Sequence, residues 1–372
     1  MTTKERVFAS IAVLLGVLAS LAGLEIALRF LPVHTGFRVA PVTAQAPVAH
    51  LQPNEPFTFS TGWNFRNVNR GRINNAGFVN DQDYHKQDSK PLLAVVGDSF
   101  IEARMVPYAD TLQGRLAKAL EPDFRVYSFA AGGAPMSQYL IWACQAVHDY
   151  GAKAVIINIV LNDFDESYIE YRASPVYWVY VADAHGQLRL QLSEYRQSTI
   201  RSVLSKSVLA RYLMINLKLE HFIQTMPLWR AAPPKQADAA PAQNAGDTPD
   251  DADARRIRIS HAVIDAFFRD LKTMVELPPD RILFLMDGFH YPEAAAANAG
   301  SYVDRMRRAF LAKAAALGYG AIDLDPHFFA HYRKHGVSFE VPDDGHWNAT
   351  GHEVAADAVL SSDFLERLRR TP

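Results

Sequence analysis

Short apolar runs alternate with amphipathic helical segments along much of the chain, and this alternation constrains the fold more than any other feature. Leu92 to Val96 is an apolar run of strand length, and Leu112, Leu116 and Leu120 follow at the spacing of one helix face. The rhythm continues with strand-like segments 125–130, 154–161, 281–286 and 321–324 and helical segments 136–150, 259–275, 301–317, 350–360 and 363–370. Such alternation is typical of a parallel sheet with helices on both faces. We therefore predict an α/β fold, doubly wound and flavodoxin-like, with three α/β/α layers.

Departures from this rhythm predict the domain organisation. Residues 1–32 form an apolar N-terminal segment, 33–90 an extended approach rich in Pro, Asn and Gly, and 91–372 the main domain. An insertion at 164–280 interrupts the main domain. It contains aromatic strand-like stretches, a leucine stripe (Leu204, Leu209, Leu213 and Leu217) that we interpret as its core packing, and a loop at about 229–256 predicted to be disordered because large apolar side chains are almost absent.

The N-terminal segment indicates the cellular location. Lys4 and Arg6 precede an apolar stretch that begins at Val7 and, counted to Leu31, is just long enough to cross a bilayer core of about 30 Å as a helix. Basic residues before a span keep the N-terminus in the cytoplasm, so the remainder is expected outside it. A cleaved signal peptide is the rival interpretation, because Ser20-Leu21-Ala22 resembles a small-x-small cleavage site.

Charge and cysteine content exclude some classes of function. The formal net charge of −2 provides no general attraction to nucleic acid or to an anionic membrane surface, so no nucleic-acid partner is expected. Cys144 is the only cysteine, so the chain can form no internal disulfide and no thiolate cluster. We expect neither a cofactor nor a metal.

A serine and a histidine stand where nucleophilic catalysis would need them. Ser99 directly follows the predicted strand Leu92 to Val96, and open α/β sheets bind ligands at the carboxyl ends of their strands. A serine hydroxyl needs a base, and His346 is the candidate. Asp343, three residues before His346, is favoured as the carboxylate that orients the imidazole, with Asp344 as its competitor.

Two further strand ends offer hydrogen-bond donors for an oxyanion. Gly133 follows the second strand of the main domain, where a bare backbone N–H can approach a substrate closely. Asn162 follows the third strand and can donate from its side-chain amide. Together with the Ser99 N–H, these groups predict an oxyanion hole of three donors.

These blocks, taken together and in this order, resemble the SGNH (GDSL) hydrolase superfamily. The matching residues are Gly97-Asp98-Ser99, Gly133, Asn162-Asp163 and Asp343-x-x-His346. The resemblance implies Ser99 as nucleophile, Gly133 and Asn162 in the oxyanion hole, His346 as base and Asp343 as its support. The N-terminal span, Ile73-Asn74-Asn75-Ala76-Gly77-Phe78 and His346-Trp347-Asn348 also resemble a membrane-anchored bacterial branch that includes polysaccharide O-acetyltransferase-like and acetylesterase-like proteins.

The resemblance implies an enzyme tethered to the bacterial inner membrane with its catalytic domain in the periplasm. The favoured function is a serine esterase that acts on ester groups, O-acetyl above all, of a cell-envelope glycan. An O-acyltransferase served by a membrane-bound acyl-donor partner, and a catalytically silent glycan-binding scaffold, remain open alternatives. The insertion aromatics Tyr168, Tyr171, Tyr177, Trp178 and Tyr180 are compatible with sugar stacking or with a small core of their own.

Overall fold

The computed structural model describes residues 2–36, 38–121, 123–172, 174–219 and 254–370. Its strands are β1 (Pro56–Thr61), β2 (Arg66–Arg72), β3 (Leu92–Gly97), β4 (Arg125–Ala130), β5 (Ala152–Ile159), β6 (Val179–Ala182), β7 (Leu188–Gln191), β8 (Ile282–Met286) and β9 (Gly320–Asp323). Its helices are α1 (Thr3–Leu28), α2 (Ser99–Glu102), α3 (Leu112–Leu120), α4 (Met136–Tyr150), α5 (Asp163–Glu166), α6 (Thr199–Leu204), α7 (Val208–Arg211), α8 (Ala254–Met274), α9 (Pro292–Ala297), α10 (Tyr302–Ala316), α11 (Asp325–His335), α12 (Ala349–Leu360) and α13 (Asp363–Arg370). The predicted loop at 229–256 lies outside the described residues except for its last three, with which α8 begins.

The central sheet has five parallel strands in the order β4-β3-β5-β8-β9. In chain order this is 2-1-3-4-5, the flavodoxin-like arrangement, and it confirms the predicted doubly wound fold. The order reverses between β3 and β5, so the crevice at the carboxyl ends of these strands is where such a sheet binds ligands.

Two apolar clusters cover the two faces of the central sheet. Ala94 and Val96 of β3 point into the cluster that includes residues of α4, α8 and α10, whereas Leu93 and Val95 point into the cluster with α3, α11, α12 and α13. All six residues of β3 are buried. A strand buried on both faces needs a continuous apolar run rather than an alternating pattern, and this is why the sequence marks β3 so clearly.

The chain divides into two compact units. The larger unit consists of Val39–Glu55, Gly71–Arg196 and Pro234–Pro372 and contains the central sheet. Tyr168, Tyr177 and Tyr180 of the insertion are buried in its core, so they pack within the fold and are not displayed for stacking on sugar rings. The predicted approach segment 33–90 and the predicted insertion 164–280 each contribute residues to both units.

The smaller unit consists of Met1–Arg38, Pro56–Arg70 and Gln197–Pro233. Its helix α1 is long and apolar enough to cross a bilayer, a property that it shares with signal sequences. The interpretation of the leucine stripe as core packing is wrong at both ends, because Leu204 and Leu217 are exposed. Leu209 does pack, against a small cluster of Leu28, Val33 and Val208. The stripe fails as one helix face because the chain turns between α6 and α7 and then forms a π-helical turn at Tyr212–Asn216.

Candidate active site

Three of the predicted site residues follow the carboxyl ends of three adjacent strands. Ser99 begins α2 directly after β3, Gly133 lies in the turn after β4, and Asn162 lies at the end of the turn after β5. Because β4, β3 and β5 are neighbours in a parallel sheet, these residues share one edge of it. The structure therefore brings together, within the larger unit, residues that are far apart in sequence.

A tight turn presents Ser99 at this edge. A Cβ on Gly97 would lie 2.5 Å from Cγ1 of Ile101, so only glycine lets α2 begin this close to the strand. The buried Asp98 carboxylate caps α2 by accepting from the Phe100 N–H at 3.0 Å. Burial raises the pKa of Asp98 to about 6, although the Phe100 N–H opposes the rise. Asp98 thus holds the turn in place, and the Ser99 side chain remains partly exposed.

The Ser99 hydroxyl lies against the predicted base. Its Oγ is 2.7 Å from Nε2 of His346, a hydrogen-bond distance, although the two residues are 247 positions apart. The Phe100 ring packs against the His346 imidazole with centroids 4.9 Å apart and limits the motion of that ring. The arrangement of serine and histidine is that of a nucleophile with its general base.

The structure gives the carboxylate partner of His346 as Asp344, and this corrects the sequence-based preference for Asp343. Nδ1 of His346 donates to Oδ1 of Asp344, which also accepts from the His346 backbone N–H at 3.2 Å. An aspartate in such an Asx turn directs its carboxylate to the residue two positions later. Asp343 instead adopts a left-handed conformation with φ of 60° and is exposed. Spacing alone favoured the aspartate three residues before His346, whereas the turn directs the aspartate two residues before it towards the imidazole.

Two opposing effects act on the pKa of His346. Burial disfavours the imidazolium, but the hydrogen bond and the negative charge of Asp344 outweigh it, with smaller contributions from Asp98 and Glu102, and the pKa is raised above 6.5. The surrounding carboxylates therefore stabilise the cation that forms when His346 takes the Ser99 proton.

The loop after β4 leaves one N–H available. Glu102, buried and paired with Arg104 at 3.1 Å, accepts from the Gly132 N–H at 3.1 Å, and the Tyr177 hydroxyl donates to the Gly132 carbonyl at 2.9 Å. Gly133 next to it is exposed with φ of 70°, and a Cβ there would have no atom within 4 Å. Glu102 and Tyr177 thus anchor the loop through Gly132, while the neighbouring Gly133 is exposed.

The Asn162 amide is also oriented by a carboxyl group. Burial raises the pKa of Glu166 to about 7, and a side-chain hydrogen bond with Asn162 opposes this rise. An amide has two N–H donors, so the contact with Glu166 leaves the second one available to a substrate oxygen. The predicted roles of Gly133 and Asn162 in an oxyanion hole stay predictions, and the geometry is compatible with both.

A buried ionic network holds the segment that carries Asp344 and His346. The His290 imidazole lies between two carboxylates, with Nε2 2.8 Å from Asp287 and Nδ1 2.8 Å from Glu340. The Trp347 indole donates to Asp287 at 3.2 Å, and Glu340 pairs with Trp347 as a β-bridge. The network therefore connects the end of β8 to both sides of the 340–347 turn.

His290 is charged at neutral pH. Burial disfavours its cation, but Asp287 and then Glu340 outweigh that effect and raise its pKa to about 10. We interpret His290 as a positioning residue, because it touches neither Ser99 nor His346 in the hydrogen bonds described and acts through Asp287, Glu340 and Trp347.

Replacing His290 with asparagine is expected to cost about 3–5 kcal/mol of unfolding free energy at pH 6, because the buried Asp287 and the half-buried Glu340 lose their cation. A raised folded pKa contributes stability that is complete below the unfolded value near 6.5 and is lost as the pH rises through 10. The difference in unfolding free energy between wild type and His290→Asn should therefore shrink between pH 6 and pH 10. It is measured by thermal unfolding followed by tryptophan fluorescence. The exposed His185→Asn is the matched control. A stability difference that does not depend on pH would contradict the assignment of a positive charge to His290.

Sequence reasoning missed this network and the role of Glu102. A signal was present, since Asp287-Gly288-Phe289-His290 repeats the Asp-x-x-His spacing at the end of a strand. Glu102 carries no comparable signal, because its partners Arg104 and Gly132 meet it only in the folded chain.

In comparisons with known proteins, no family model matches the sequence, and no curated protein matches it. Among solved structures, the chain is similar to a lipolytic G-D-S-L family member from Veillonella parvula DSM 2008, with 10% identity, TM-score 0.38 and coverage of 73% of this chain and 96% of that one. It is also similar to LAE5, an alpha/beta hydrolase from the metagenome of Lake Arreo, with 13% identity, TM-score 0.40 and coverage of 74% and 96%. A catalytic mutant of an acetylxylan esterase from Geobacillus stearothermophilus matches at 12% identity, TM-score 0.36 and coverage of 74% and 95%.

Proposed function

We propose that this protein is a serine esterase, tethered to a membrane by α1, that removes O-acetyl or similar small acyl groups from a cell-envelope glycan. The observation that carries the proposal is the contact of 2.7 Å between Ser99 Oγ and His346 Nε2, with Asp344 on the other imidazole nitrogen. Gly133, exposed in the turn after the neighbouring strand, supports ester chemistry over a silent binding site.

The proposed reaction has two halves. His346 Nε2 takes the hydroxyl proton as Ser99 Oγ attacks the ester carbonyl carbon, and the negative charge moves to the carbonyl oxygen. Donors from Gly133, Asn162 and the Ser99 backbone stabilise that oxygen, each being worth about 3 kcal/mol in comparable sites. The intermediate then collapses, and the imidazolium gives its proton to the leaving alcohol.

The second half releases the acyl group. His346 takes a proton from water, which attacks the acyl-Ser99 carbonyl, and Ser99 recovers its proton as the acid leaves. A sugar hydroxyl in place of this water would make the same site a transferase. The glycan substrate is supported by the sequence resemblance, and the extracytoplasmic location by the basic residues that precede α1.

The test uses the full chain in detergent with three substrates: p-nitrophenyl acetate, p-nitrophenyl decanoate and a chemically O-acetylated polysaccharide. We expect acetate release from the polysaccharide, faster hydrolysis of the acetate than of the decanoate, and a covalent fluorophosphonate adduct at Ser99 detected by intact mass.

Three outcomes would point elsewhere. Preference for the decanoate would indicate a lipase. Adduct formation without hydrolysis, together with acetyl transfer to an added oligosaccharide, would indicate a transferase. Absence of both adduct and turnover would favour the scaffold alternative.

A further inference from the structure

Exposed apolar side chains are concentrated in the smaller unit even outside α1. Beyond residue 31 and within the described residues, nine large hydrophobic side chains are exposed. Seven belong to the smaller unit: Trp63, Val68, Ile200, Val203, Leu204, Met214 and Leu217. Only Leu317 and Val337 belong to the larger one. Clustered exposure of this kind marks an interaction surface, whereas single exposed hydrophobes need no explanation.

The helix α6 shows the pattern most clearly. Ile200, Val203 and Leu204 follow the i, i+3, i+4 spacing that places side chains on one face of a helix. Their exposed fractions are 74%, 62% and 44%. An amphipathic helix normally buries its apolar face in the core, but α6 leaves this face bare.

Three segments of the same unit carry charge of one sign only. Segments 29–38, 56–70 and 197–219 contain no aspartate or glutamate. They contain eight basic residues: Arg29, Arg38, Arg66, Arg70, Arg201, Lys206, Arg211 and Lys218. The chain as a whole has a net charge of −2, so this excess is local. Basic residues beside exposed apolar ones are complementary to anionic lipid headgroups.

Hydrogen bonds place this unit at the depth of the headgroups when α1 spans a bilayer. Glu25, in the last turn of α1, accepts from the Ser207 hydroxyl at 2.8 Å and from the backbone N–H groups of Val208 and Leu209 at 3.1 and 2.9 Å. A helix of 26 residues is about 39 Å long. Since the hydrocarbon core is about 30 Å thick, Glu25 and the start of α7 bound to it lie near the interface.

We propose that segments 29–38, 56–70 and 197–219, here called the interfacial unit, rest on an anionic bilayer surface. Ile200, Val203 and Leu204 insert among the lipids, Trp63 lies at the level of the headgroups, and the exposed Arg201 and Lys206 pair with lipid phosphates. Tyr212 connects these elements, because its hydroxyl donates to the Trp63 carbonyl at 3.0 Å and its ring packs on Phe65 at 5.4 Å. The proposal rests on the proposed membrane tether by α1 and is independent of the ester chemistry.

The test uses the full chain with Cys144→Ala, reconstituted in nanodiscs, with the environment-sensitive NBD fluorophore on Ile200→Cys. The matched control carries the label on Leu317→Cys, an apolar position of the larger unit that is also exposed, at 44% against 74% for Ile200. In discs of phosphatidylglycerol and phosphatidylethanolamine we expect a blue-shifted emission at 200 and at least twofold quenching by doxyl-labelled lipid. Neither effect is expected at 317.

Charge-reversal variants separate the electrostatic contribution to lipid binding from the apolar one. Arg201→Glu with Lys206→Glu should reduce the quenching at 200 in anionic discs, and replacing the anionic lipid by phosphatidylcholine should do the same. Equal quenching at 200 and 317 would overturn the proposal as non-specific adsorption. A blue shift at 200 that grows with protein concentration and resists lipid quenching would overturn it in favour of a second copy of this chain.

Discussion

Ester hydrolysis by the full chain is expected to fall about 10⁴- to 10⁶-fold when Ser99 is replaced by alanine, because the covalent route is lost and only the oxyanion donors and substrate binding remain. His346→Ala should cost about as much, since a serine hydroxyl without its base is a poor nucleophile. The measurement is kcat/KM for p-nitrophenyl acetate at pH 8.

The double variant Ser99→Ala with His346→Ala should be no slower than either single variant, because the two side chains act as one unit. Ser361→Ala is the matched control, since Ser361 is exposed and its hydroxyl donates to the backbone carbonyls of Asp357 at 2.7 Å and Ala358 at 3.3 Å within its own helix turn. It should retain full activity. If Ser99→Ala kept a tenth of the wild-type rate, the 2.7 Å contact with His346 would not be the reacting pair.

Asp344→Asn is expected to reduce kcat/KM about 10³- to 10⁴-fold, because an amide can neither fix the His346 tautomer nor stabilise the imidazolium. Asp343→Asn is the matched control and should change kcat/KM by about twofold or less, as is usual for an exposed position. Asparagine also tolerates the left-handed conformation that residue 343 adopts, so the control preserves the turn.

The pH profile provides an independent readout of Asp344. In the wild type, activity should fall as the pH decreases through the His346 pKa, which lies above 6.5, because the base must be neutral. In Asp344→Asn the burial of His346 is no longer outweighed, so this limb should move to lower pH. A large loss from Asp343→Asn with little from Asp344→Asn would restore the sequence-based assignment and refute the structural one.

Some of the residues in these two experiments could be predicted from the sequence, and others could not. Ser99 and the strand ends that carry Gly133 and Asn162 are predictable, because each depends on a local pattern: an apolar strand followed by a glycine or a polar residue. The candidate base His346 is predictable from the Asp-x-x-His spacing of its loop. The choice between Asp343 and Asp344 is not, because it depends on the φ of residue 343 and on which carboxylate the turn directs towards the imidazole.

The leucines of the smaller unit show the same limit. Leu204, Leu209 and Leu217 are alike in sequence, yet only Leu209 packs into a cluster, while the other two are exposed. Helical periodicity predicts a shared face only as long as the helix continues, and here the helix is interrupted between α6 and α7. Whether a side chain is buried depends on what lies opposite it, and periodicity does not contain that information.

The sequence by itself determined the parallel α/β architecture, the apolar N-terminal helix and the choice of Ser99 and His346 as candidate nucleophile and base, because hydrophobic period and residue chemistry are local properties. Only the tertiary structure decided that Asp344 is the partner of His346, that His290 is a buried cation between Asp287 and Glu340, and that α6 leaves its apolar face bare. Each of these depends on contacts between residues distant in sequence or on backbone angles within a turn, and such contacts exist only once the chain has folded.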